Sequence, residues 1–277
     1  MDWITDPFQL AFQQRALLGG ALAAIATSTV GIWVVIRGMM FLGDALAHGV
    51  IPGIALALLF GFSPVLGAIA AAIVMIGGIN LVHRQTSFSE DTGIGLLFVG
   101  MLGLGVILVS RTARYAGSLT AILFGDVLGV DGGDLWLVGT VAAIAVVVSL
   151  VFYRQFLTLS FNEEKATTLG MRPDWAHFGL LALVTLAVVA SFQTVGTLLV
   201  FGLLVGPPAT AALLVRKVPA MMVTSVAIGL GSVALGLLIS FYANTSGSAT
   251  MAVIPVVAFF VVLVSRSALA RRSHPTA

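Results

Sequence analysis

The chain contains no cysteine and only two lysines, Lys165 and Lys217, among its 277 residues. The first absence excludes disulfides, thiolate metal sites and a cysteine nucleophile. The second excludes a phosphate-binding GxxxxGK[ST] loop, because neither lysine follows a glycine. The chain has no ATPase motif of its own, so any pumping needs a separate ATP-binding subunit. HExxH, GxSxG and paired-carboxylate motifs are missing as well, which argues against an enzyme and against a resident cofactor. Charge is also scarce, with 9% of residues Asp, Glu, Lys or Arg. A water-soluble domain of this length would need charged outer helix faces.

What fills the chain instead is apolar: 59% of residues are hydrophobic and the mean hydropathy is +1.12. Runs long enough to cross a bilayer as helix, about 17 to 25 residues, fall at 16–36, 40–61, 64–83, 93–110, 135–153, 175–192, 195–215, 219–241 and 247–266. The sequence therefore predicts an all-α, polytopic integral membrane protein of eight or nine transmembrane helices, with lipid around it and no nucleic-acid partner. Residues 1–15 carry Asp2 and Asp6 where a basic leader belongs, so they are not expected to be a signal peptide. Trp3, Phe8 and Phe12 suit a segment at headgroup depth. A permease domain is expected over 16–266, followed by a tail at 267–277.

Cations set the orientation. One side collects Arg37, Arg84, Arg154, Lys165, Arg172, Arg216, Lys217, Arg266, Arg271 and Arg272, leaving Arg15, Arg111 and Arg114 for the other. The richer side is expected to be cytoplasmic. Two connections are longer than turns. The outer one contains SLTAILFGDVLGV (residues 118–130), which suggests a half-helix against the outer face. The inner one contains FNEEKATTLG (residues 161–170), where Asn162 can cap, Glu163 and Glu164 favour a first turn, Ala166 and Leu169 share a face, and Gly170 ends the helix.

Of eleven acids, only Asp44 lies well inside a span. It belongs to FLGDALAHGVIPG (residues 41–53), with His48 one turn further along the same face and Pro52 beyond it. Pro52 has no N–H for the His48 carbonyl, so a bend and a freed oxygen beside the pair are expected. An intramembrane acid costs at least about 2.5 kcal/mol at mid-bilayer on insertion scales, so its retention points to function. A carboxylate and an imidazole suit a divalent first-row metal. A hydrogen-bonded or capping pair and a proton relay also satisfy the spacing. Two ligands are too few for a tight site, and a symmetric dimer would assemble two Asp and two His. His83, His177 and His274 read as interfacial or solvated. Pro207 and Pro208 free the carbonyls of Leu203 and Leu204 and bend their span, as a packing kink or as a broken helix on a path.

Five stretches carry a family resemblance: IRGMMFLGDALAHGVIPGIALA (residues 36–57), EDTGIG (90–95), LFGDVLGV (123–130), FNEEKATTLGM (161–171) and VGTLLVFGLLVGPPATAALL (195–214). In these, and in their order from about Gln14 to Ser265, the chain resembles the ABC-3 permeases, membrane subunits of ABC transporters that import manganese, zinc or iron. The resemblance implies a homodimer served by two cytoplasmic ATP-binding subunits and an extracytoplasmic metal-binding protein, in the cell membrane. It also implies that Asp44 and His48 contact the transported metal, and that residues 161–171, with Glu163, Glu164, Ala166, Leu169 and Gly170, form the coupling helix that docks on the ATPase. The family commonly reads PAA where this chain has Pro207, Pro208 and Ala209. A gradient-driven secondary transporter or channel is the competing class, although it would call for further intramembrane ionisable groups; a non-transporting scaffold is a third.

The orientation is testable in this cysteine-free background. Single cysteines at Lys217 and Arg272 should resist an impermeant thiol reagent in intact cells, while cysteines at Asp131 and Ser246 react. Labelling at 217 but not at 246 would reverse the topology.

Overall fold

The computed structural model describes residues 6–86, 88–110, 129–161 and 173–273. After a 3-10 turn at Asp6–Gln9, these residues form α1 (Ala11–Arg37), α2 (Leu42–Gly49), α3 (Ile51–Phe60), α4 (Pro64–Gln85), α5 (Glu90–Ser110) and α6 (Gly132–Val151). They continue as α7 (Tyr153–Phe161), α8 (Pro173–Val195), α9 (Thr197–Leu214), α10 (Val218–Ala243) and α11 (Gly247–Ser273). Nine segments among the described residues are long and apolar enough to cross a membrane, α2 and α3 together making one of them. They coincide with the nine runs read from the sequence. The ends differ where polar residues continue a helix: α1 starts at Ala11 and α11 runs on to Ser273. Most of the expected outer half-helix, nearly all of the expected coupling helix and Trp3 lie outside the described residues.

α1 is the hub. It packs against α6, α8, α9 and α10, and most of its span is buried. Its sequence permits this, because the buried face is built from Ala, Gly, Ser and Thr, which let helix backbones approach closely. The hydroxyls of Thr27 and Thr29 satisfy themselves by donating to the carbonyls of Ala23 and Ile25 at 2.7 and 2.6 Å. α2 to α5 form a second group, and α8 touches both groups. Within it, Gly53 of α3 and Gly67 of α4 face each other so closely that a Cβ on either would meet the other's carbonyl.

The two prolines of α9 are fully buried, and their local cost is met by α1. Ser28 donates its hydroxyl to the Leu203 carbonyl at 3.3 Å, one of the two acceptors that the prolines release. The other, on Leu204, lies over the Cα of Gly31, where any Cβ would collide with it. Ser225 of α10 in turn donates to the Ser28 carbonyl at 3.2 Å, tying three helices at one level. The two prolines thus sit where α9 packs on α1 and α10. α6 opens with a reciprocal capping box, Asp134 N–H to Asp131 Oδ1 at 2.9 Å and Asp131 N–H to Asp134 Oδ2 at 3.2 Å.

Gly31→Leu should therefore destabilise the protein by about 1–3 kcal/mol through overpacking against α9, and Ser28→Ala by about 1 kcal/mol through a carbonyl left unpaired. Thermal unfolding in detergent measures both. A Gly31→Leu protein that melts at the wild-type temperature would mean that α1 and α9 are not packed as described.

Candidate metal site in the second span

The site begins with a chain reversal into a short helix. α1 ends in a Schellman motif: Gly38 takes φ +74°, its N–H reaches the Val35 carbonyl at 3.2 Å, and the Met39 N–H reaches the Val34 carbonyl at 3.0 Å. Only glycine adopts that conformation without strain, which is why the helix stops there. Residues 39–41 then lead into α2, whose eight residues are LGDALAHG.

At the other end, α2 stops at Val50 and α3 restarts with Pro52 in its first turn, where the missing N–H leaves no bond unmade. The sequence predicts a freed His48 carbonyl; the structure gives that carbonyl the Val50 N–H, while the Ile54 N–H pairs with the Val50 carbonyl at 3.1 Å. The bend is real, and the side chains that the short helix offers are a carboxylate and an imidazole. Small residues dock α2 into place. A Cβ on Gly43 would strike Leu204 of α9, and one on Gly49 would strike the Met75 sulfur of α4. Phe98 of α5 closes a third side, standing edge-on to Phe41 at 5.4 Å between centroids and tilted over the His48 ring at 6.0 Å.

Asp44 sits in the first turn of α2 and His48 in the last, so the carboxylate lies at the positive end of the helix and the imidazole at the negative end. Asp44 Oδ1 and His48 Nε2 are 3.3 Å apart, with the two side chains 31% and 20% exposed. The separation is long for a charge-assisted hydrogen bond. It equals the edge of a tetrahedron whose ligand bonds are about 2.0–2.1 Å, which is about 3.3 Å. His48 Nδ1 is buried and has no hydrogen-bond partner among the described residues. The ring is therefore held by packing and by Asp44, and Nε2 is the nitrogen that faces the opening. Among the described residues no three His, Cys, Asp or Glu side chains come together as a metal cage. One chain supplies two donors on a partly open face.

Glu163, Glu164, Ala166, Leu169 and Gly170 fall in the part of the chain outside the described residues. His177, read from sequence as interfacial, is 2% exposed, because α8 carries it against α4 and α1. There it stacks on His83 at 5.1 Å and accepts at Nδ1 from Arg37 Nη2 at 3.2 Å. Neither this cluster nor Phe98 had a local signal, since their partners come from helices far apart in sequence.

Comparison with known proteins agrees with this architecture. The chain is 34% identical over 261 residues to the manganese transport system membrane protein MntC of Listeria monocytogenes, covering 94% of this chain and 93% of that protein. It is also 34% identical over 264 residues to the manganese import system permease protein ScaB of Streptococcus gordonii, covering 94% and 95%. A solved structure of PsaBC from Streptococcus pneumoniae in complex with Fab superposes with a TM-score of 0.82 at 31% identity, over 94% of each chain. An inward-facing metal-chelate type ABC transporter has the same fold, with a TM-score of 0.72 at 16% identity over 91% of this chain and 85% of that one. The sequence model of the ABC 3 transport family matches residues 9–266, and the chain belongs to that family.

Proposed function

We propose that this chain is the membrane-spanning permease subunit of an ATP-driven importer of a divalent transition metal, and that Asp44 and His48 contact the metal as it crosses. The observation that carries the reading is the 3.3 Å bite of Asp44 Oδ1 and His48 Nε2 on a partly open face of an otherwise apolar span. The relatives named for manganese put that ion first as cargo. The donors alone serve manganese, zinc and iron, since a carboxylate oxygen and an imidazole nitrogen accept all three.

The chemistry of passage follows from what the pair lacks. One carboxylate offsets half of a divalent charge, and two donors fill half of a tetrahedral shell. A second copy across a two-fold axis beside α2 doubles both, giving two carboxylates and two imidazoles. Such a site holds the ion only while the two half-sites face each other, so separating them weakens binding and lets the ion leave. The apolar surroundings confine the ion to the donors, because an ion away from them meets a low-dielectric wall.

Work comes from outside the chain. The absence of a phosphate-binding loop assigns ATP hydrolysis to separate subunits on the cation-rich face. Residues 161–171, between α7 and α8, are the element that would dock on them. A metal-binding protein on the opposite face would deliver the ion.

The test is radiomanganese uptake into vesicles holding the permease with its ATPase and metal-binding protein. Asp44→Asn, which keeps volume and removes charge, and His48→Ala should each lower uptake more than about tenfold, since even residues behind metal ligands affect affinity on that scale. ATPase should still co-purify, because neither change alters helix packing. Ala166→Glu should abolish stimulation of the ATPase while leaving the metal pair intact. Near-normal uptake by the Asp44→Asn, His48→Ala double variant would make the pair structural and move the path elsewhere.

A further inference from the structure

We propose that Trp33, Arg37 and His177 form the node through which movement of the 161–173 region reaches the metal pair, with Arg37 as the positioning residue at its centre. The inference rests on the reading of residues 161–171 as the coupling element. Trp33, Arg37 and His177 are themselves described residues.

Both stems of that region stand on one face of the last two turns of α1. On the upstream side, α7 places Tyr153 and Phe156 edge-on to the buried Trp33 ring, with centroids at 5.8 and 5.6 Å. α7 ends at Phe161, a turn and a half past Phe156. On the downstream side, α8 starts at Pro173 and presents His177 in its second turn. Arg37 Nη2 donates to His177 Nδ1 at 3.2 Å, and the His177 ring lies on His83 of α4 at 5.1 Å and 25°. Trp33 and Arg37 are one helical turn apart and share a face of α1. A displacement of either stem therefore acts on the last two turns of the helix that most of the bundle packs around.

The chemistry of the Arg37–His177 contact makes it directional. A guanidinium has donors only, so His177 Nδ1 must present a lone pair and Nε2 must carry the hydrogen. The imidazole is thereby neutral and its tautomer defined. The two edge-on contacts fix the Trp33 ring and the bond to His177 fixes Arg37, so both side chains on this face of α1 are held.

The other end of the lever is the metal pair. Arg37 is the last residue of α1, Gly38 reverses the chain at φ +74°, and α2 begins at Leu42 with Asp44 in its first turn. α2 packs on α8, the helix that carries His177, so a shift of that helix re-aims the face that Asp44 and His48 offer to a second copy. A node of this kind sets how many ions move per ATP, whereas a static brace sets only how much protein assembles.

The experiment measures radiomanganese uptake and ATP hydrolysis on the same vesicles of assembled complex. Arg37→Met removes every donor at similar length, His177→Leu removes the acceptor, and His177→Asn keeps an acceptor at the position of Nδ1. Ions moved per ATP should fall about fivefold or more in Arg37→Met and His177→Leu, the low end of measured coupling between sites. The ratio should stay near wild type in His177→Asn. The Arg37→Met, His177→Leu double variant should lose less than the sum of the two singles, because both delete the Arg37–His177 contact. Uptake and hydrolysis falling together at an unchanged ratio would make the cluster a brace and overturn the proposal. Should Arg37→Met fail to assemble, the ratio in assembled His177→Leu decides the matter alone. Wild-type vesicles without ATP-dependent uptake would instead refute the permease reading, and Ala166→Glu with normal ATPase stimulation would refute the coupling element.

Discussion

In hydrocarbon a backbone N–H or C=O without a partner costs several kcal/mol, and every departure from straight helix here is shaped by that cost. α1 ends in a Schellman motif that recovers the carbonyls of Val34 and Val35. The Pro52 bend returns the His48 carbonyl to the Val50 amide. The Pro207 and Pro208 kink borrows a hydroxyl from Ser28 and a close glycine from Gly31. Each repair pins one helix to another or fixes the angle between two. The interruptions that look like weaknesses in the sequence are the points where the bundle is aligned.

One product of this rule is α2, a two-turn helix cut out of what would be a single span. Detached from α1 by Gly38 and from α3 by the Val50 bend, it can be set at its own angle. Gly43 against Leu204, Gly49 against Met75 and Phe98 over His48 set that angle from three different helices. Asp44 and His48 occupy its two ends, so the helix dipole favours the carboxylate where it stands and any positive charge near the imidazole. A short helix with both side chains on one face suits the proposed role of carrying half a metal shell, which the proposed second copy would complete.

Placement of α1 at the hub links this carrier to the rest. The helix that meets the α9 prolines at Ser28 and Gly31 is the one whose last two turns receive α7 at Trp33 and α8 at Arg37. A single rigid element therefore runs from the centre of the bundle to the cation-rich face, with the donor helix hinged to its end. In the proposed transport cycle, that arrangement lets a change at the ATPase face alter the metal site without unpacking the core.

Much of this was legible before any coordinates. Nine spans follow from run length, because a bilayer demands about 20 apolar residues and tolerates little else. Asp44 stood out because charge in hydrocarbon is expensive, and His48 followed from the four-residue period of a helix. Helix ends were less legible: Ala11 to Arg15 and 267 to 273 are helical although polar, since helices continue past the apolar core wherever the backbone can still pair. What the tertiary structure alone decided is which residues meet across helices. His177 looked interfacial or solvated at the start of a span, yet α1 and α4 enclose it; nothing in the sequence marked Phe98, whose ring lies 6.0 Å from that of His48. Hydropathy and periodicity report the side a residue faces along its own helix, and only the packing of distant helices determines what waits there.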